Sequence, residues 1–185
     1  MVFTYDTEAT LAFTTALVNS VPGISNDNVD TLADRAALER LLDDNDYSGR
    51  RDLDAAELAA VRALRPEFRA FWELDRDGAV ELVNGILRDA RALPQLVRHG
   101  DWDWHLHATE ADAPLATRMR VEVAMAFIDV IRSDELDRLR VCEATDCEAV
   151  LIDLSRNRSK RYCDVGNCGN RMNVIAYRAR QAEHP

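Results

Sequence analysis

All four cysteines of this 185-residue chain, Cys142, Cys147, Cys163 and Cys168, fall within 27 residues in the pattern C-x4-C-x15-C-x4-C. Zinc takes four ligands at tetrahedral corners. A pair of ligands up to four residues apart lets one tight turn supply two thiolates, and a longer spacer brings the second pair across. The pattern points to one structural Zn2+ per chain. The fifteen-residue spacer fits a hairpin, with Leu139 to Val141 and Ala149 to Asp153 as short strands flanking the first knuckle and Cys168-Gly169-Asn170 opening a helix to about Gln181. A thiolate at a helix N-terminus is also favoured by the macrodipole. Because C-x4-C is looser than C-x2-C, the spacing alone leaves buried thiols or a redox pair as alternatives.

A net charge of −10 argues, as an average, against a nucleic-acid partner. The average conceals two unlike segments. Residues 1–139 carry 15 basic and 27 acidic side chains, a net −12, whereas residues 140–185 carry 8 and 6, a net +2. Between Leu154 and Arg180 the basic residues are Arg156, Arg158, Lys160, Arg161, Arg171, Arg178 and Arg180, and the only acid is Asp164. Nothing in the first thirty residues reads as a secretory leader, since Asp6 and Glu8 stand where positive charge is required and the first basic residue is Arg35. No apolar run approaches the roughly 20 residues of a membrane helix. The expectation is a cytoplasmic protein without membrane contact, where a reducing environment makes thiols metal ligands or reactive groups rather than disulfides.

The first 135 residues read as mostly helical, with an apolar content of 47% in the whole chain that suffices for a core without disulfides. Ala9, Phe13, Ala16 and Leu17 fit a short helix ended by Val21-Pro22-Gly23. Thr31 and Asp34 resemble an N-cap pair opening a second helix with Leu38, Leu41 and Leu42 inward. Val61, Leu64, Phe68, Phe71 and Trp72 trace a third, which Pro66 is expected to kink or divide near Arg65. Ala79, Leu82, Val83, Ile86, Leu87 and Ala90 trace a fourth. Pro114 opens a long helix to Arg132 with Met119, Val123, Ala126, Phe127 and Val130 buried. Between these the period changes to 2. Trp102, Trp104, Leu106 and Ala108 alternate with Asp101, Asp103, His105 and His107, the pattern of a strand with its tryptophan face in the core, and Leu96-Val97 supplies a hairpin partner. The resulting class is α+β: a mostly helical amino-terminal domain (1–135) with a small β-hairpin, and a four-cysteine zinc finger (136–185) of hairpin and helix.

The run from Cys163 through Cys168-Gly169-Asn170-Arg171, preceded by the basic segment Leu154 to Arg161 and followed by Ala176-Tyr177-Arg178-Ala179-Arg180, resembles the CGNR zinc-finger family over about 45 residues. The resemblance implies that Cys142, Cys147, Cys163 and Cys168 are the zinc ligands and that the basic residues bind DNA. The preceding region, through Leu17-Val18-Asn19-Ser20 and Leu106-His107-Ala108, is similar to the ABATE domain that accompanies this finger, which implies a stress-induced transcription regulator.

Met172, Ile175, Ala176 and Ala179 form an apolar stripe expected to pack on the zinc hairpin. Asn170, Asn173, Tyr177 and Arg180 recur along another side, with Arg171 and Arg178 beside them. Arg reads guanine and Asn reads adenine in the major groove, so Arg171, Asn173, Arg178 and Arg180 are candidate base-reading residues. Arg156, Arg158, Lys160 and Arg161 suit phosphates. Asn170, two positions from a ligand, reads as a group supporting the knuckle, and Arg171 is open to the same reading. Few exposed aromatics accompany the stripe, which favours duplex DNA over RNA. One small finger rarely suffices for specific binding, so a homodimer or second element is needed.

His105 and His107 project together beside Asp101 and Asp103, a candidate ligand-binding pair on the open face of the strand. The chain lacks a Gly-rich phosphate loop, a nucleophile elbow and an H-E-x-x-H motif, and is read as a regulator rather than an enzyme. Its amino-terminal domain would sense a small-molecule effector or protein partner. The rival reading is an enzyme or small-molecule-binding protein using the Trp102–His107 hairpin, with the finger as scaffold.

Overall fold

The computed structural model describes residues 2–24, 28–98 and 103–183. The chain runs α1 (Tyr5–Val18), α2 (Arg35–Asp43), α3 (Ala55–Arg69), a 3-10 turn (Ala70–Trp72), α4 (Arg76–Asp89), β1 (Gln95–Val97), β2 (His105–His107) and α5 (Leu115–Arg132). A second 3-10 turn (Leu136–Arg138) leads into β3 (Leu139–Val141), β4 (Val150–Ile152) and α6 (Cys168–Glu183). This is the α+β arrangement of helices with two small antiparallel hairpins. No helix among the described residues is long and apolar enough to cross a membrane.

Aspartates start three of the helices. Asp34, Asp54 and Asp75 accept from the backbone N–H of Ala37, Glu57 and Gly78, satisfying a donor that the first turn leaves unpaired. The second helix is therefore capped by Asp34, whose carboxylate lies 2.8 Å from the Ala37 nitrogen, and Thr31 stays in the preceding turn. Pro66 does not divide α3, which continues to Arg69. Burial of Leu64 and Phe68 on either side outweighs the backbone bond a proline forfeits.

Helix α5 is the axis of the core. Met119, Val123, Ala126, Phe127 and Val130 are all buried, as their spacing predicts, and α5 packs against α1, α3 and α4. Phe71 stacks on Phe127 with ring centroids 3.8 Å apart. The loop before α2 is tied to this core by charge: Asp30 accepts from the buried Arg65 at 2.7 and 3.0 Å. The loop after α2 turns at Gly49, whose φ of +85° and close approach to Arg118 and the Ala111 carbonyl leave no room for a side chain.

The first hairpin pairs Gln95 with His107 and Val97 with His105. Its alternation is as expected, but within the strand the faces are reversed, and only Ala108, just beyond it, lies in the core as expected. Trp104 is 62% and Leu106 43% exposed, while His105 and His107 are half-buried and turned toward α5. The reason lies in what the strand covers: its inner neighbour is Glu122, 3.9 Å from His107, so the polar face has partners inside and the apolar face has none. The Arg98 guanidinium covers the Trp104 ring at 5.3 Å. Trp102 and Asp101 lie outside the described residues.

In the second hairpin Leu139 pairs with Ile152 and Val141 with Val150. Strand β4 is buried on both faces. Val150 and Ile152 enter the helical core, whereas Ala149 and Leu151 face the cysteines together with Ile24. Its outer edge is closed by side chains of the helical domain. The Asn19 amide, itself buried, donates to the Val150 carbonyl and accepts from the Val150 N–H, both at 2.8 Å. Arg69 donates to the Glu148 carbonyl on the same edge at 3.0 Å, while Trp72 Nε1 reaches the Leu151 carbonyl, on the side of β4 that faces β3, at 3.0 Å. A side-chain amide thus completes a strand edge that would otherwise bury unpaired backbone.

Two measurements test this framework. Asn19→Ala leaves both Val150 backbone groups unpaired and is expected to cost about 3 kcal/mol in denaturant unfolding of the full chain; a change near zero would mean the edge is held otherwise. Asp30 is held below the ordinary aspartate range by its hydrogen bonds from Arg65. A lowered folded pKa gives stability that is present above about pH 4 and lost as pH falls through the folded value. Asp30→Ala should therefore cost about 2 kcal/mol near neutrality, with the difference from wild type shrinking on acidification below pH 4.

Candidate metal centre

The two knuckles are built from different local structures. Cys142 follows β3, its N–H bonded to the Ala149 carbonyl at 2.8 Å, and a tight turn returns the Cys147 N–H to the Ala144 carbonyl at 3.2 Å. The hairpin strands bracket this first knuckle, so the fifteen-residue spacer contributes only β4 and the basic loop beyond it. In the second knuckle Asn167 adopts a left-handed φ of 50°, which asparagine tolerates, and its carbonyl accepts from Arg171 at 3.1 Å as α6 begins on Cys168.

All four cysteines are buried, and their sulfurs lie within 4.8 Å of one another. Cys147 and Cys163 sulfurs are 3.6 Å apart, and those of Cys163 and Cys168 are 3.7 Å apart. Tetrahedral zinc with bonds of ~2.3 Å requires ligand sulfurs about 3.8 Å apart. The separations fit that ion and exceed a disulfide's ~2.0 Å. The donor set agrees: soft thiolates suit zinc, and burial pushes the Cys147 and Cys163 thiols up in pKa, a cost a divalent cation offsets. The Cys163 N–H donates to the Cys142 sulfur at 3.4 Å, as thiolate ligands require of their surroundings.

Arg171 is the clamp of the site. Its guanidinium donates to the Cys168 sulfur at 3.2 Å, to both carboxylate oxygens of Asp146, and through Nε to the Gly166 carbonyl at 3.2 Å. It thereby joins the first knuckle to the second. Burial pushes the Cys168 thiol up, but hydrogen bonds from Arg171 and the neighbouring cysteines outweigh it and its pKa is lowered. A zinc with four thiolates carries −2, and Arg171 is the cation nearest to it by hydrogen bonding. Asn170 reaches no sulfur; its amide donates to the Asn167 side chain at 2.7 Å and steadies the knuckle turn.

The basic residues fall into two groups. Arg158 pairs with Glu135 at 2.7 Å, Lys160 with Asp164 at 2.6 Å, and Arg161 with Glu143, its guanidinium 5.7 Å from the Tyr162 ring centroid. Arg156, Arg178 and Arg180 are exposed and have no hydrogen-bond or ion-pair partner among the described residues, and Asn173 is exposed beside them. The apolar stripe of α6 does not pack as expected. Of its described apolar residues Cys168 and Met172 pack in the cysteine cluster, and from Asn173 onward every described side chain is exposed, Ile175 at 56%.

The buried Asp153 was invisible in the sequence beyond a weak Asp-x-Ser turn signal. It accepts from the Ser155 and Lys160 N–H groups at 2.9 and 2.8 Å and from the Ser155 hydroxyl, so it shapes the loop that displays Arg156 and Arg158. Burial alone would raise its pKa, but these hydrogen bonds outweigh it and the value is lowered. Arg138 donates to the Asp153 and Ser155 carbonyls at 2.8 and 3.0 Å and completes the support.

Arg171→Lys keeps the charge but loses the fork that spans Asp146 and Cys168. It is expected to weaken zinc affinity by about 10–100-fold in chelator competition, and unchanged affinity would remove Arg171 from the site.

Comparison with known families now adds to this geometry. A family model described as the CGNR zinc finger matches residues 138–181. One described as a putative stress-induced transcription regulator, ABATE, matches residues 11–134. No curated protein matches the chain. Covering most of the sequence between them, the two matches settle the lineage: the chain belongs to the ABATE family and carries a CGNR zinc finger after its helical domain.

Proposed function

We propose that this protein is a zinc-dependent DNA-binding transcription regulator, with one structural zinc held by Cys142, Cys147, Cys163 and Cys168 and the acidic helical domain serving as the sensor or partner-binding module. The observation that carries it is the exposure of α6. This 16-residue helix is exposed from Asn173 onward and displays Arg178 and Arg180 without partners among the described residues. At 1.5 Å per residue it is about 24 Å long, and the major groove, roughly 12 Å wide, admits such a helix. Asn173, Arg178 and Arg180 have the chemistry to read base edges. Arg156 offers a phosphate contact at once, Lys160 and Arg161 can exchange the exposed carboxylates of Asp164 and Glu143 for a phosphate at little cost, and Arg158 would have to leave the half-buried Glu135, which Arg138 still holds. Arg171 acts through the metal centre. A homodimer would bring a second finger to the duplex, and the −12 of residues 1–139 opposes non-specific adhesion.

Fluorescence anisotropy with duplex DNA tests this reading. Affinity should fall steeply with salt, and replacing Arg156, Arg178 and Arg180 by alanine should reduce the slope of log K against log salt by about 0.9 for each phosphate no longer neutralised. Salt-independent binding, or binding indifferent to those three changes and to zinc removal, would refute it.

A further inference from the structure

A cavity of about 410 Å³ opens in the helical domain between α1, the loop after α2, β2 and α5. Its floor is apolar, with Phe13, Met119, Val123 and Ala126 buried beneath it. Its formally charged wall, among the described residues, is five carboxylates, Asp6, Asp44, Asp46, Glu122 and Asp129, against Arg132.

An acidic wall alone does not make a site. The second observation is Tyr47, 9% exposed, whose hydroxyl is buried and has no hydrogen-bond partner among the described residues. Tyr47 lines the cavity with Glu122, and the two groups lie close enough for each to shift the other's ionisation through hydrogen bonding and charge, although the Tyr47 hydroxyl meets no acceptor or donor of full hydrogen-bond geometry among the described residues. Its ring is fixed between Phe13, at a centroid distance of 5.3 Å, and the Arg118 guanidinium at 5.6 Å. The orphan oxygen is therefore held in place rather than turned away.

The histidines extend the pattern. His105 Nδ1 lies 2.7 Å from the Asp103 carbonyl, so it carries the proton, and in the neutral ring Nε2 becomes the acceptor. His107 Nε2, 3.0 Å away, must then donate to it, which assigns the lone pair of a neutral His107 to Nδ1, the nitrogen 3.9 Å from Glu122. Glu122, Tyr47 and His107 converge as oxygen and nitrogen acceptors at one end of an apolar chamber.

We propose that this cavity binds a small amphipathic organic cation, a primary ammonium compound whose N–H groups meet the Glu122 carboxylate and the Tyr47 oxygen while its apolar body lies on Phe13 and Met119. An ammonium offers three donors and one positive charge, matching an acceptor-lined, acidic pocket, whereas a carboxylate or phosphate ligand would face five like charges. The site's regulatory meaning rests on the sensor role proposed above, but its occupancy is measurable without DNA.

The test uses the zinc-loaded full chain with n-hexylamine and 2-phenylethylamine, each beside the alcohol and the carboxylate of matching skeleton, followed by thermal shift and calorimetry. Both amines should raise the melting temperature by about 2 °C or more at excess ligand, and the alcohols and carboxylates should not. Glu122→Gln should lose at least about tenfold in amine affinity. Tyr47→Phe, which removes only the orphan hydroxyl, should fold normally and also bind amine more weakly, which keeps the test decisive if Glu122→Gln is unstable. Absence of an amine shift, equal shifts from alcohols or carboxylates, or full affinity in both variants would overturn the site. DNA anisotropy on the same samples separates the two readings: DNA binding without amine binding removes the cavity ligand and leaves the regulator, while amine binding that leaves DNA affinity unchanged supports the site and removes the sensor role.

Discussion

Strand β4 is three residues long and the two halves of the molecule meet on it. Alone, so short a strand has too few backbone bonds to persist, and its burial on both faces forbids water from satisfying its outer edge. The Asn19 amide resolves this by imitating a neighbouring strand, giving Val150 both a donor and an acceptor. Ile24 and Val21 then pack toward the cysteines, and Val150 and Ile152 toward the helices. Covalently the finger follows the helical domain; physically it is inserted into it.

That docking also settles the electrostatics of the metal centre. Thiolates in a buried cluster repel one another, and a four-thiolate zinc keeps a residual negative charge. The chain answers with one guanidinium, Arg171, placed where the second knuckle becomes a helix, and with Asp146 holding that guanidinium in its plane. Part of the basic character legible in the composition of the carboxyl-terminal segment is thus consumed in ion pairs, through Arg140, Arg158, Lys160, Arg161 and Arg171, and Arg156, Arg178 and Arg180 face outward without a partner among the described residues.

Much was legible beforehand, for physical reasons. The metal centre follows from cysteine spacing because two tight turns and four ligands leave few geometries, and α5 follows from an apolar face repeated without interruption. What escaped was set by tertiary contact. Trp104 and Leu106 read as core by alternation, yet period 2 says only that two faces differ, and Glu122, distant in sequence, decides which faces inward. Pro66 reads as a break, yet packing of Leu64 and Phe68 overrides it. Ile175 and Ala176 read as buried because apolar stripes usually are, but both are exposed, with no described residue packed over them. Asn19 stands out beforehand only as part of the Leu17-Val18-Asn19-Ser20 resemblance and Asp153 only as a weak turn signal, since an isolated Asn or Asp is commonplace and the backbone it meets gives it weight.

Helix α1 has one end in each compartment. Its first turns, from Tyr5 to Phe13, form a wall of the cavity, and the residue that follows its last, Asn19, holds the finger's strand. At 14 residues it is a rod of about 20 Å, uninterrupted by proline or glycine and therefore stiff. A displacement or rotation at one end is delivered to the other as a rigid-body change rather than dissipated along a chain of side chains. Linkage then makes the traffic two-way: whatever free energy an occupant of the cavity exchanges with the seating of β4, metal occupancy of the finger exchanges in equal measure with the cavity.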